Sequence, residues 1–550
     1  MKHLSKIFWI AIIVLLMNAC YEDKGNYDYK TLNEVYVNTN GVSLSYTINQ
    51  FDTLSITPDI KFTLTDIDES NLIFKWLIYK DVWSKNESTA EVLSTERNLR
   101  VQIKQDPASD AYAVVLYITN KTDQTVSQIK YTVNILPSIV SGLVVLHTNN
   151  SGESDLDYIA TTNAVPTLDT LKWLHNIYSS VNETKIHGTP NFVSAARENN
   201  TAINYIYVGT DEEFLLIDAT NFTLLHKNEE LFKSKPETIL PQFASHGQQC
   251  NNVTILINNG QLHNINNQAS QYWDYQFSQA LKPGSSLSGN IDLAPFAYFA
   301  DDCAAFVGHA AILYDNIGKR FVRLPFSFWE EESLASLPVQ TSTNKFDVNN
   351  IGKDILYLGK GFNGHAFAVF TDDTSRELYR ANFNTHATYY DDNGDEVENE
   401  AIHSLAVNKY DLSDLPEIYD AKFYDCGPLG NFFLYASEKN IYSYSYASSN
   451  KVATKINDPF ANDEVITDMK IYNTDWFYPL DNVNGTLLYV ATWNGTEGKL
   501  YEFKINRASG YLNNKEEAGD GTVNLKAPAK VFTGFGKIMG MCVKLEGSDE

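Results

Sequence analysis

Cysteine and methionine are scarce, five of each in 550 residues, and the cysteines never come near one another in the chain. After Cys20 come Cys250, Cys303, Cys426 and Cys542, with no Cys-x-x-Cys pair, which argues against a zinc knuckle. One or two disulfides and buried free thiols are both compatible with this spacing. Basic residues are also few: 42 Lys and Arg face 68 Asp and Glu, a formal charge of -26. Phosphate recognition needs clustered Lys and Arg, so this balance argues against nucleic acid as a partner. It argues equally against lying on anionic lipid, and reads as a solvated acidic surface. A sustained 3.6-residue apolar period is missing as well. Catalytic signatures are absent: there is no Gly-x-Ser-x-Gly elbow, no His-Glu-x-x-His, no P-loop and no dinucleotide glycine run. Glycosidase carboxylates can lie far apart in sequence, so this absence does not exclude hydrolysis.

What is present begins at the N-terminus. Lys2 and Lys6 precede an apolar run from Ile7 to Met17, closed by Asn18, Ala19 and Cys20. A basic start, a short apolar stretch and a small residue before the cut describe a signal peptide over residues 1–19. The run falls short of the roughly 20 apolar residues of a membrane span. Met17-Asn18-Ala19-Cys20 resembles the bacterial lipobox, which implies that Cys20 is acylated and becomes the mature N-terminus. The alternative is ordinary secretory cleavage with Cys20 an incidental thiol. Removing two Lys and no acid takes the charge from -26 to -28. Glu22 and Asp23 follow, and an acidic pair there resembles the surface-export signal of Bacteroidetes lipoproteins. The expected location is the outer membrane, lipid-anchored and facing the medium.

Aromatics are plentiful (33 Tyr, 29 Phe, 8 Trp), with Asn, Thr and Ser between them, a mixture that suits strands and turns. The chain reads as all-β. Residues 20–30 are polar and form a lipidated tether. Across 31–137, strands are expected at 42–48, 52–56, 72–79, 99–103, 111–119 and 128–135, the spacing of a sandwich of about seven strands. Tyr112, Val114, Leu116 and Ile118 share one face, and Trp76 is expected in the core. Asp110 to Asn120 resembles the Gly-x-Tyr-x-Val-x-Leu-x-Val-x-Asn run of PKD domains.

From 141 to 550 a repeat takes over: an apolar strand, a polar turn, then a strand reading roughly Leu-Tyr-x-apolar. Its hairpins pair 143–147 with 156–159, 206–209 with 214–218, 253–257 with 261–265 and 304–307 with 311–314. They continue with 367–370 and 377–380, 432–435 and 441–444, and 487–490 and 499–503. A hairpin cannot bury its own face, and these recur every 50 to 75 residues or about that, so the units must stack or close into a ring. A β-propeller, with seven blades as the expected number, fits best. Six or eight blades, or a second sandwich array, are the alternatives. The tail, 535–543, is a strand without a partner hairpin and is expected to pair into the first blade.

Few residues point to chemistry. Asp391, Asn393 and Asp395 have the first spacings of a calcium loop, but Gly394 comes too early and Ile402 stands where a Glu belongs. Asn393-Gly394 instead signals a hairpin turn. The histidines are scattered singly through the repeats, and neither a metal nor a cofactor is expected. Candidate ligand contacts are aromatics in polar connections: Trp329, Tyr389, Tyr390, Trp476, Tyr478 and Trp493. Flat rings stack on sugars or peptide side chains, with nearby Asn and Asp orienting them. The competing role for each is filling space between blades.

The lipobox cysteine, the acidic pair, Lys24-Gly25-Asn26-Tyr27-Asp28-Tyr29, a PKD-like stretch and β-rich repeats occur in that order. Together they resemble the PKD-like family lipoproteins of Bacteroidetes. The resemblance implies an accessory surface lipoprotein of a SusC/SusD-type uptake system, a non-catalytic binder of oligosaccharide or peptide, with that transporter complex as partner. A propeller hydrolase or lyase and a purely structural subunit of the complex are the alternatives.

Overall fold

The computed structural model describes residues 33–64, 68–82, 87–108, 110–197, 204–247, 253–266, 275–299, 310–325, 333–338, 343–383, 388–390, 396–398, 405–461, 463–474, 480–514 and 525–546. Two compact units divide the chain at Leu136/Pro137.

The first unit is a β-sandwich. One sheet has five strands in the order Ser45–Asn49, Val126–Leu136, Tyr112–Asn120, Leu72–Lys80 and Glu91–Ser94. Two antiparallel pairs, Val35–Val37 with Ile60–Phe62 and Thr53–Ile56 with Leu99–Gln102, contribute to the same core. Strand alternation decides which side chains enter it. Tyr112, Val114, Leu116 and Ile118 are all buried there, as the period-two pattern requires. Trp76 is fully buried and its Nε1 donates to the Glu96 carbonyl at 2.9 Å, so the indole is both packed and satisfied. The strands 35–37, 60–62 and 91–94 have three or four residues each, too few for a visible alternation.

Among the described residues the second unit holds seven separate, open sheets in chain order, the blades of a β-propeller, and one further two-stranded pair, Thr388–Tyr390 with Glu396–Glu398. Blade one is Lys172–Leu174, Ser154–Ala160, Gly142–Thr148 and, from the far end of the chain, Lys537–Lys544. Blade two runs Pro190–Arg197, Asn204–Thr210, Phe214–Asp218, Leu224–Lys227, and blade three Pro241–His246, Val253–Asn258, Gln261–Asn266. Blade four has Ala311–Asp315 and Arg320–Leu324, flanked by isolated bridges at Tyr298 and Ala335. Blade five is Asp354–Lys360, Ala366–Thr371, Arg376–Ala381 and Ala406–Asp411. Blade six is Phe423–Cys426, Phe432–Ala436, Ile441–Ser445 and Ala453–Lys455. Blade seven is Val465–Ile471, Leu487–Trp493, Gly498–Lys504 and Lys530–Phe535. Where they can be traced, the first strands of neighbouring blades touch one another, and Lys537–Lys544 contacts those of blades two and seven.

Packing explains why the second strand of each blade reads as an apolar run. Phe433 and Tyr435 pack toward blade five with Phe367 and Leu378, whereas Phe432, Leu434 and Ala436 pack toward blade seven with Leu488 and Val490. Both faces are buried, so alternation disappears. The turns follow their residues: Asn259-Gly260, at φ +50° and +71°, joins Asn258 to its partner Gln261 in a tight hairpin.

Six of the expected hairpins pair as read from the sequence. The one at 304–314 does not: Ala311–Asp315 pairs forward with Arg320–Leu324 across a turn carrying Lys319 at φ +48°, while 304–307 lies outside the described residues. The turn that joins the observed pair, Asn316 to Lys319, carries only the weak Asn-Ile-Gly-Lys signal. The tail also divides, for Phe535 ends blade seven and Gly536 separates it from the strand that enters blade one. Cys426 and Cys542 are buried free thiols, while Cys250 and Cys303 lie outside the described residues.

Because Lys537–Lys544 supplies the innermost strand of blade one, deleting residues 537–550 should abolish cooperative unfolding of the propeller. Circular-dichroism melting with limited proteolysis checks this. A truncated chain that melts as the full one does would show that the pairing does not hold the repeats together.

Candidate functional site

Polar side chains on the inner strands cluster around the line where the blades meet. On Phe423–Cys426, Tyr424 and Cys426 enter the core shared with blade five, leaving Asp425 on the opposite face. On Val465–Ile471, Ile466, Met469 and Ile471 enter the core with blade six, and Asp468 and Lys470 are left partly exposed. Asp425 joins three blades. Its Oδ1 accepts from Tyr357 Oη of blade five at 3.3 Å and from the Cys426 N–H at 2.9 Å, and its Oδ2 accepts from the Ile471 N–H of blade seven at 2.8 Å. Asp468 accepts from the Met469 N–H at 2.8 Å, and the Met541 N–H of blade one favours its charged form. Ser194 of blade two donates to the Ala244 carbonyl of blade three at 2.5 Å, and Tyr298 donates to the Gly364 carbonyl ahead of blade five's second strand. These bonds form a girdle that ties blade two to three, four to five, and five through six to seven.

Burial pushes the Asp425 carboxyl above its ordinary range, with Lys470 opposing the shift. Burial likewise carries Asp468 to about 6, against Lys470 and with the help of the Asp425 charge. Two carboxylates with raised proton affinity beside an ammonium is an arrangement acid–base catalysis uses. Here, however, both oxygens of Asp425 are occupied by donors, two of them backbone amides from different blades. The sequence offered one faint signal, an acid inside an otherwise apolar or aromatic strand (Tyr424-Asp425-Cys426, Thr467-Asp468-Met469), and local-motif reading passed over it.

A second cluster lies where blade seven meets blade one. Asp157 is fully buried and accepts from His147 Nε2 at 2.9 Å, Trp173 Nε1 at 2.7 Å, His175 Nδ1 at 2.6 Å and the Asn176 N–H at 2.8 Å. Burial alone would raise this carboxyl, yet the hydrogen bonds from His147 and His175 outweigh it and hold it at about 2. Phe535 stacks on Trp173 at 5.5 Å and meets the edge of His147 at 5.7 Å, so the last strand of blade seven closes over the group. His175 is the exposed member, and its hydrogen bond to Asp157 raises its proton affinity. Nearby, Asp155 binds Lys185 Nζ at 2.8 Å and Ser179 Oγ at 2.5 Å. Buried Glu502 of blade seven takes Thr161 and Asn163, which follow blade one's second described strand, at 2.6 Å each. Glu502 is a junction lock, whereas Asp157 ties blade one's own strands and holds the rings that meet Phe535.

The expected ligand contacts fare differently. Cys20, Glu22, Asp23, Trp329, Trp476 and Tyr478 lie outside the described residues. Tyr389 and Tyr390 lie in a short strand paired with Val397 and Glu396, between the third and fourth strands of blade five in the chain; Asn393-Gly394 lies outside the described residues. Trp493, expected in a polar connection, is the half-buried last residue of a strand, opposite Val465 and Gly498. A cleft of about 420 Å³ at blade two is lined by Glu212, Lys227, Asn228, Glu229, Glu230, Lys235 and Ile239, a mixed-charge surface with no aromatic floor. Among the described residues no three His, Cys, Asp or Glu side chains come together as a metal site.

Residues 20–190 match the PKD-like family, a stretch that includes the sandwich and the early strands of blade one. No curated protein matches the sequence. In fold the chain is similar to a quinonprotein alcohol dehydrogenase-like protein from Bacteroides thetaiotaomicron, at 13% identity and a TM-score of 0.45, covering 91% of this chain and 98% of that one. It is also similar to AztD from Citrobacter koseri, at 9% identity and 0.34, covering 87% and 100%. The β-propeller domain of Cps50 (Swd1) from Myceliophteria thermophila is similar at 10% identity and 0.33, covering 58% and 84%.

The His175 shift has a sign. Asp157 and Asp155 favour the imidazolium and Lys185 opposes it. The contact therefore stabilises fully below the ordinary histidine value of about 6.5, and that gain is lost as pH rises through the raised value. Asp157→Asn should lower the melting temperature most near pH 6, with the deficit shrinking toward pH 9. Scanning fluorimetry across that range tests it, and a deficit of constant size would mean that only neutral hydrogen bonds are lost.

Proposed function

We propose that this chain is a surface-exposed, lipid-anchored protein of a bacterial outer membrane that binds rather than transforms its ligand. It would serve as an accessory component of a SusC/SusD-type uptake system for oligosaccharide or peptide. The observation that carries the non-catalytic part is the engagement of Asp425: both oxygens of this carboxyl, whose proton affinity burial raises, accept hydrogen bonds from blades five, six and seven. A general acid must meet the substrate with a free oxygen, and Asp425 has both oxygens engaged. The anchor and the uptake setting rest on the sequence: Met17-Asn18-Ala19-Cys20, the Glu22-Asp23 pair and the PKD-like stretch. Three acyl chains hold a protein far more firmly than one, at about 0.8 kcal/mol per buried CH₂.

A hydrolase or lyase is the second reading, and the raised value of Asp468 favours it. Asp468→Asn separates the two, because an enzyme would lose turnover on its polymer while a clamp would lose stability. The third reading, a structural subunit, requires partner proteins and no small ligand.

Two outcomes are expected. Cys20→Ala should move the protein from the outer-membrane fraction to the soluble fraction and abolish labelling by a radioactive fatty acid; retention in the membrane would refute lipid anchoring through that residue. Affinity purification of the tagged protein from native outer membranes should recover a SusC/SusD-type pair with bound oligosaccharide or peptide. Recovery of the protein alone would refute the uptake role.

A further inference from the structure

Several buried or half-buried cations of the propeller are matched by an acid: Lys353 and Lys409 by Glu377, Arg320 by Asp315, Lys499 by Glu464. Arg380 is built differently. It lies on the third strand of blade five, where Tyr379 and Ala381 enter the core with blade four. Leu378 enters the core with blade six, so alternation points Arg380 the same way. Its guanidinium carbon lies 5.8 Å from the ring centre of Phe367 and 5.9 Å from that of Tyr446, one ring from each blade. Its Nε donates to His365 Nδ1 at 2.9 Å.

That last bond fixes the chemistry. A ring nitrogen that accepts from a guanidinium is unprotonated, so His365 is neutral; burial and then the Arg380 charge push its pKa down to about 4. The imidazole therefore aims the side chain without cancelling its charge. The two ring faces hold it by cation–π attraction, which leaves the Nη donors uncommitted. Among the described residues no carboxylate meets Arg380 and no hydrogen bond leaves Nη1 or Nη2, although the side chain is only half-buried. A planar fork with its outer donors unspent, in a chain of net charge -26, is a ready bidentate receptor for an oxyanion. Tyr410, partly buried beside Tyr446 at 5.6 Å, adds an aromatic face next to it.

We propose that Arg380 is an anion subsite between blades five and six that takes the carboxylate of a uronic-acid-bearing oligosaccharide. His365 and Tyr446 act as its positioning residues and Tyr410 lies against the sugar ring. This rests on the proposed uptake function, takes its oligosaccharide branch, and names the class of glycan.

The test is isothermal titration calorimetry of the full mature chain with three probes: trigalacturonate, neutral galactotriose and galactose 1-phosphate. Wild type should bind trigalacturonate at least tenfold tighter than galactotriose. Arg380→Ala should erase that difference, Arg380→Lys should keep part of it, and His365→Ala should weaken trigalacturonate alone. Arg380→Gln, close in shape, guards against a folding defect in the alanine variant, with melting curves run on all four. Equal binding of acidic and neutral trisaccharides, preference for the phosphate, or uronate binding that survives both Arg380→Ala and Arg380→Gln would overturn the subsite. Galactotriose binding without uronate preference would leave glycan capture standing, whereas no binding of any probe would remove glycan capture with it.

Discussion

The antiparallel pairing of Lys537–Lys544 with Gly142–Thr148 brings together residues about as far apart as the repeat region allows; Lys544 Nζ reaches the Val140 carbonyl, 404 positions away. The other blades are built mainly from consecutive strands, and blade one alone needs the end of the chain. Buried Glu502 reinforces the same junction, together with the stack of Phe535 on Trp173, whose indole Asp157 holds in place. Loop-closure entropy for so long a separation is recovered only when this seam forms. Ring assembly must therefore wait for the last strand, a topology that favours slow folding.

Once the seam is closed, the inner strands put polar groups where water is scarce. An unpaired buried carboxylate is costly, and a paired one serves as a strong acceptor. Asp425 meets that constraint by taking a backbone N–H from the next blade and Asp468 by taking one from its own strand, as Ser194 and Tyr298 meet it by donating to carbonyls. The blades are thus held at their faces by apolar packing and at their inner edges by directed hydrogen bonds. Functional chemistry, on this arrangement, belongs to groups the girdle does not consume.

Much of this fold could be read from the residues. Turn chemistry such as Asn259-Gly260, and second strands with both faces buried, left strong local marks, and so did the alternation of Tyr112, Val114, Leu116 and Ile118. The failures have physical causes. Blade four's hairpin was misplaced because Asn316 to Lys319 carries only a weak turn signal and its flanking strands shrink to isolated bridges. The girdle was missed because its partners are backbone atoms of another blade, which have no sequence signature. Arg380 and His365 lie 15 positions apart and meet only through strand pairing. Trp493 looked like a loop residue because the turn begins immediately after it.

The two described thiols give the girdle one more property. Cys426 and Cys542 both sit on inner strands, and burial pushes each thiol far from its ordinary range, Cys542 to about 12. Only a thiolate attacks disulfides and alkylating reagents, so in the closed propeller both are chemically silent. They become reactive when their own strands part from their neighbours. The protein thus carries two native reporters at its axis, one in blade six and one in the seam, whose labelling rates time the breathing of the middle of the ring separately from its closure.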